Sequence, residues 1–512
     1  MKTSAMLRVL VTALVALPLA VACSSKTSGG LGIGSACSTN DQCQNTSCND
    51  GVCTKNCSTD IDCPAPSFCA KGLCQVPLVV GAMYSGSASE TEGWTFTNHK
   101  SLTDVRDALP YVKFLAPKEQ VFGGNQPPLV APAVTDLIDN QHANVIVATS
   151  SDQGKELEAL APKYPNVKFL YYKEPGSNFF PKDVTTANLA TYTSSTEPAW
   201  YVAGKIAVQK THAKRLGFIG SYINPSVITV INAFTLGARS EDPEVVVEVR
   251  WVGFWIDLNE TAQFPYRGSN YFREDLIALQ LAEAGAEVIV QHGDSSRPVR
   301  LIDARKLQTG TDASPAGTRK PVFTLNTNYR YSWKDLQSNT PLPTCLGSTY
   351  FNFTPYLQGQ ISQIHKGTWV PTDVRGFIEE NTDTSMVAFE PNTSAGIDDA
   401  NVRKLEFSLK GADGFDTTYK GPYASTGQMD LDDDGKYDAD QTVHAGQILS
   451  LPQIQHTCWY VKGVVEKVQN DDTPTSPQSA DQDAFVPDDQ HPALNKTIPV
   501  PPGSTLNCKK NY

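Results

Sequence analysis

An alternation of short apolar strands with amphipathic helices runs through most of this 512-residue chain and leaves little choice of architecture. It is plainest in residues 199–239, whose pattern predicts helix, strand, helix. Small residues Ala199, Ala203, Gly204 and Ala207 are interleaved there with Tyr201, Ile206 and Val208, as in a helix lying close against a sheet. Lys210, Lys214 and Arg215 follow at the helix's negative end. The glycine-flanked run 216–220 suits a buried parallel strand. Asn224 and Pro225 then predict the start of a second helix reaching Arg239.

The same rhythm continues on either side of this joint. Upstream, strands are expected at 75–82, 112–115, 144–148, 167–171 and 186–192, with a helix over 98–109. Downstream, elements are expected at 245–254, 275–284, 287–291, 298–307 and 321–326. Strand and helix in alternation make parallel sheets, so the fold class is α/β with two Rossmann-like lobes and the joint on the hinge side between them. Ligands of such sheets bind beyond the carboxyl ends of the strands. Two facing lobes therefore enclose a cleft lined by Trp94, by residues 150–152, by 255–257 and by 292–294.

Before the first lobe the chain has a different character. Residues 1–22 carry Lys2 and Arg8, then an apolar run, then small residues ahead of Cys23, the layout of a secretory leader. Residues 20–23 have the form of a lipobox with Cys23 as the lipidated residue, though alanine stands where leucine is commonest, and cleavage without lipidation stays open. A Gly/Ser-rich linker reaches residue 36. Eight cysteines then form two copies of one pattern over residues 37–75: Cys37, Cys43, Cys48, Cys53, and Cys57, Cys63, Cys69, Cys74. In an oxidising compartment such a module is held by disulfides rather than zinc. Each half allows three pairings, and either a rigid spacer or a docking module for a partner fits the pattern. The two-lobed body spans 76–467, and residues 468–512, rich in Pro, Asp and Ser, read as a disordered or surface tail. Cys345, Cys458 and Cys508 are an odd three, with a bridge from Cys508 to the body conceivable but its partner undetermined.

Composition narrows the function. A formal charge of −12 disfavours nucleic acid and anionic membrane surfaces, leaving the lipid anchor as the only membrane contact. No G-x-S-x-G elbow, H-E-x-x-H pair or Walker loop is present, so no enzyme is expected. Asp430, Asp432, Asp434 and Asp438 match the opening of a calcium loop, but Gln441 replaces the bidentate glutamate, and a solvated hairpin turn explains the run equally.

The segments INAFTLGAR (231–239), WVGFWID (251–257) and QHGDS (291–295), with GWTFTNH (93–99) before them and WYVKGVV (459–465) after, resemble in order the basic membrane protein family, purine-nucleoside-receptor-like lipoproteins that feed ABC importers. The resemblance covers residues 79–465. It implies a periplasmic-binding-protein type I fold that closes like a hinged trap. It also implies that residues 346–367 return to the first lobe, that 419–449 form a closing hairpin, and that 453–467 form a last helix. For the site it implies Trp94 and Trp255 on the faces of a purine and Asp294 on its polar edge. Asp257 and His99 are further candidates, as are Asp152, where relatives carry an aromatic, and Asn352 at a strand end. Against this, tryptophans mostly pack cores, and a histidine at a helix start as often caps or packs. The expected protein is an exported, lipid-anchored receptor facing the periplasm or cell surface, with a purine-like ligand and an ABC permease as partners. The alternative is a sensory or adhesive surface lipoprotein that uses the same fold without transport.

Overall fold

The computed structural model describes residues 30–466, apart from 124–127, 175–185, 222–224, 258–260, 262–263, 312–313, 316, 380, 411–416, 426–441, 450–452, 455–456 and 458. The leader with Cys23, the tail, the acidic loop with Asp430, Asp432, Asp434 and Asp438, and Cys458 and Cys508 lie outside the described residues.

The first sheet is built from β1 (Leu78–Met83), β2 (Val112–Phe114), β3 (Val145–Ala148), β4 (Lys168–Tyr172) and β5 (Leu189–Ser194). The second is built from β6 (Arg215–Gly220), β7 (Val246–Trp251), β8 (Val288–Gln291), β9 (Phe323–Asn326) and β10 (Cys345–Phe351). Later in the chain β11 (Asp373–Gly376) returns to the first sheet, while β12 (Val387–Pro391) and β13 (Val464–Glu466) return to the second. The orders are β2-β1-β3-β4-β5-β11 and β13-β7-β6-β8-β9-β10-β12. Every pairing is parallel except that of β12 with β10. Both lobes thus repeat one doubly wound order in which the first strand lies between the second and the third. The strand order reverses beside β1 and beside β6, where such sheets open a crevice. Strands buried on both faces read as continuous apolar runs, and the four residues of β3, Val-Ile-Val-Ala, are all buried.

After α1 (Gly93–Ala108), α2 (Val130–Thr135) and α3 (Gly154–Leu160) of the first lobe, the joint folds as helix, strand, helix: α4 (Glu197–Thr211), β6 and α5 (Pro225–Glu241). It is the opening unit of the second lobe rather than a separate hinge. Ala199, Val202, Ala203 and Ile206 of α4 share a core with Val227, Ile231 and Phe234 of α5 and with Phe218 of β6. The small residues of α4 serve helix packing as well as sheet packing. A Cβ on Gly204 would lie 2.0 Å from the Phe234 carbonyl oxygen. Among the described residues the chain passes between lobes at three places: β5 to α4, β10 to α8 (Thr354–His365), and β11 to β12. The second crossing is the return expected at 346–367.

The expected closing hairpin is present at its described ends, where Tyr423–Ala424 pairs antiparallel with Thr442–Val443. The expected last helix over 453–467 is corrected: of its described residues only Gln453 and Ile454 are helical, Val461 bridges to Ser425, and a turn follows. Gly463 takes φ +108°, and Val464–Glu466 extends as β13 along the edge of β7, where the Glu466 carboxylate accepts the Trp251 indole N–H at 2.7 Å. A strand edge satisfies the backbone of the β-branched pair Val464 and Val465, which the positive φ of Gly463 turns onto that edge.

Both cysteine repeats adopt the same pairing, first with third and second with fourth: Cys37–Cys48, Cys43–Cys53, Cys57–Cys69 and Cys63–Cys74. Each repeat ends in a two-residue hairpin turn with positive φ at both central positions, Asp50-Gly51 and Lys71-Gly72. The repeats join through the Thr54 hydroxyl and the Cys74 carbonyl at 2.7 Å, and Asp50 pairs with Lys366 just beyond α8 at 2.7 Å. Cys345 is a buried free thiol, pushed up to about 12 by desolvation. Among the described residues no helix is long and apolar enough to cross a membrane.

Candidate functional site in the interlobe cleft

The loops that follow β1 and β3 face those that follow β6 and β8. Trp94 lies in the first turn of α1 (Gly93–Ala108), a helix that starts five residues before the expected position. Gly93 makes this entry possible, with φ +83° and so little room that a Cβ would meet the Asp294 carbonyl oxygen at 2.6 Å. The half-buried indole packs at 4.7 Å from Tyr172 and edge-on to Phe351 at 5.1 Å and Phe353 at 5.5 Å. Its Nε1–H donates to the Thr149 carbonyl at 2.9 Å. The result is an aromatic wall contributed by α1, β4 and the β10 crossover.

Across the cleft, Asp294 accepts the Trp94 backbone N–H at 2.9 Å and the Asn328 amide at 2.8 Å. The structure therefore joins two of the expected site residues directly, by backbone rather than through a shared ligand. Desolvation, aided by the charges of Glu90 and Glu92, pushes the Asp294 carboxyl up to about 7. The Trp255 carbonyl accepts the Asp294 N–H at 2.8 Å; the residue is 39% exposed, and its ring lies 6.3 Å from that of His292. His292 is held near Trp200 and Phe218, with Nδ1 2.9 Å from the Ser221 hydroxyl, and desolvation lowers it to about 4, so the imidazole is neutral.

The other expected residues are engaged elsewhere. His99 sits 3.1 Å from the Tyr84 hydroxyl and beside Phe114, on the core side of α1, with its pKa lowered by burial. The Asp152 carboxylate accepts the Gly123 N–H at 2.7 Å and the Ser150 hydroxyl, closing its own loop, and burial raises its pKa. Asp257 is buried and accepts the Arg273 N–H at 3.0 Å at the start of α6 (Arg273–Glu283). Asn352 braces the crossover through its side-chain amide and the Asp383 carbonyl at 3.1 Å.

Sequence reasoning missed Glu92, Glu174, Ser226 and Asn328. Glu174, after β4, accepts the Ser226 hydroxyl at the start of α5 from the opposite lobe. Glu92 accepts the Ser296 N–H at 3.0 Å and pairs with Arg300 at 3.0 Å. These contacts join residues 52 to 208 positions apart. No local pattern signals them, although acids immediately before α1 and after a parallel strand are the available hint.

The family model described as ABC transporter substrate-binding protein PnrA-like, Bmp, matches residues 132–298. A purine-binding protein of Brucella abortus is 28% identical over 46% of this chain and 60% of its own length. A protein of Haloferax volcanii described as an ABC transporter glucose-binding protein is 25% identical over 53% of this chain and 59% of its own. The chain thus matches about three-fifths of the length of these curated relatives. Among solved structures, an ABC transporter solute-binding protein from Conexibacter woesei aligns with TM-score 0.46 and 14% identity over 65% of this chain and 96% of that one. The order of the sequence motifs on either side of the joint and the match of its central segment point the same way: residues 132–298 are similar to the PnrA-like ABC transporter substrate-binding proteins.

Proposed function

We propose that this protein is the exported solute-binding component of an ABC importer and that it captures a purine nucleobase or nucleoside between its lobes for delivery to a permease. The observation that carries the reading is an aromatic wall, Trp94 with Tyr172, Phe351 and Phe353, together with exposed Trp255, whose carbonyl takes the N–H of the same Asp294 that accepts from Trp94. Flat heterocycles bind by stacking, worth about 1–3 kcal/mol per base. Glu174 supplies a carboxylate beside the wall that orients a ligand by accepting its N–H or O–H groups. The Brucella relative's name points to the same class. The glucose named for the Haloferax relative is the competing ligand, since the Ser226 hydroxyl beside Glu174 offers the same kind of hydrogen bonding to a sugar. Lipidation at Cys23 belongs to the same proposal as the tether that keeps the receptor near its permease.

Native mass spectrometry of freshly purified protein tests the ligand. A co-purified purine mass is the expected result. A hexose mass, or titration calorimetry in which glucose binds and adenine, guanine and their nucleosides do not, overturns it.

A further inference from the structure

Two hydrogen-bonded caps join the lobes in opposite directions. Asp294 of the second lobe takes the Trp94 N–H in the first turn of α1, and Glu92 of the first lobe takes the N–H and hydroxyl of Ser296 at the N-terminus of α7 (Arg297–Arg305). Each lobe thereby satisfies an orphan donor at a helix start of the other. Arg300, within α7, clamps Glu92 at 3.0 Å, and the Thr97 hydroxyl of α1 reaches the Asn328 carbonyl at 3.1 Å. Donor and acceptor ride on different lobes in every one of these contacts, so an open cleft breaks them together.

We propose that these reciprocal caps form a latch that holds the lobes shut and that Asp294 takes up a proton as the latch closes. Among the described residues Asp294 receives uncharged donors, the Trp94 N–H and the Asn328 amide. The acids facing it are Glu90 and Glu92 from the segment before α1; Arg300 of α7 pairs with Glu92, and Glu119 acts on Glu90 from beyond β2. His292, two residues upstream, is neutral. The positive end of α1 favours a charged carboxylate. Desolvation and the two neighbouring acids outweigh it and push Asp294 up to about 7, and burial raises Glu90 as well. Opening returns Asp294 to water and to the ordinary range near 4. The closed form holds the proton more tightly, so closing strengthens as pH falls from about 7, by at most tenfold per pH unit for one proton.

The test needs no ligand and so stands apart from the reading of the cleft. Small-angle scattering of the ligand-free protein at pH 8 and pH 5 should show a more compact particle at the lower pH, with a closed-to-open ratio up to about a hundredfold larger. Asp294→Asn keeps an acceptor for Trp94 but cannot titrate, and its compaction should be independent of pH. Glu92→Ala should shift the protein towards the open form at both pH values; should it fail to fold, Arg300→Gln loosens the same cap. A radius of gyration that does not change with pH in the unmodified protein, or an Asp294→Asn variant that keeps the full response, overturns the proposal. So does a Glu92→Ala variant as compact as the unmodified protein.

Discussion

Gly237 of α5 lies directly against the backbone of Tyr201 in α4, where a Cβ would stand 1.9 Å from the Tyr201 carbonyl oxygen. Gly204 of α4 makes the reciprocal approach to Phe234. The two helices that open the second lobe therefore touch backbone to backbone, and neither contact has a flexible side chain to yield. Alanine at Gly237 or at Gly204 should destabilise the protein by about 1–3 kcal/mol through overpacking, despite its better helix propensity. Urea denaturation checks this, and a gain in stability for both variants would show that the helices separate easily.

The two candidate tryptophans should behave differently when truncated. Trp94→Ala removes a ring packed on Tyr172, Phe351 and Phe353 and a donor to Thr149, so it should lower the melting temperature as well as purine affinity. Trp255 is 39% exposed, so Trp255→Ala should leave the melting temperature nearly unchanged while weakening purine binding by about 1–3 kcal/mol. Calorimetry with parallel melting curves separates the two effects; unchanged affinity in both variants removes both residues from the site.

Reduction should unfold residues 37–74 while the body keeps its melting transition, because the collar's stability comes from four short-range bridges and the lobes have their own cores. Each bridge is worth about 2–4 kcal/mol to its repeat. Peptide mapping under non-reducing conditions should recover Cys37–Cys48 and Cys57–Cys69 rather than pairs of neighbouring cysteines.

Asp275, buried near the start of α6, is pushed up to about 7, first by desolvation and then by Glu274, against the pull of Arg297, Arg300 and Arg305. The native state thus binds its proton more tightly than the unfolded chain, and stability falls as pH rises from about 4 to about 7. Asp275→Asn removes that penalty. Its melting temperature should exceed that of the unmodified protein at pH 8 and converge with it near pH 4; an equal difference at both values would argue against a titrating carboxyl.

The architecture was legible in the chain because each strand and helix announces its own buried face. The run Leu216 to Gly220, the all-buried β3 and the proline that opens α5 are local signals, and they need no partner to be read. The duplicated cysteines were equally legible as a module, since spacing is a property of the chain alone. What they pair with was not, because three pairings satisfy the same spacing: the hairpins set Cys48 opposite Cys53 and Cys69 opposite Cys74, yet each of these bonds instead to a cysteine of the segment before its hairpin. The end of the body misled the reading for the same reason: Val464–Glu466 becomes a strand because the edge of β7 is there to receive it. The site shows the division most sharply. Trp94 and Asp294 stand out in the sequence as an aromatic and an acid suited to a ligand, yet the bond between them spans 200 residues and depends on how the two lobes meet. Which carboxylates cap a helix, as Asp257 does for α6, and which face the cleft is decided by tertiary placement, since the donors that claim them lie far along the chain and a carboxylate's chemistry is the same in either role.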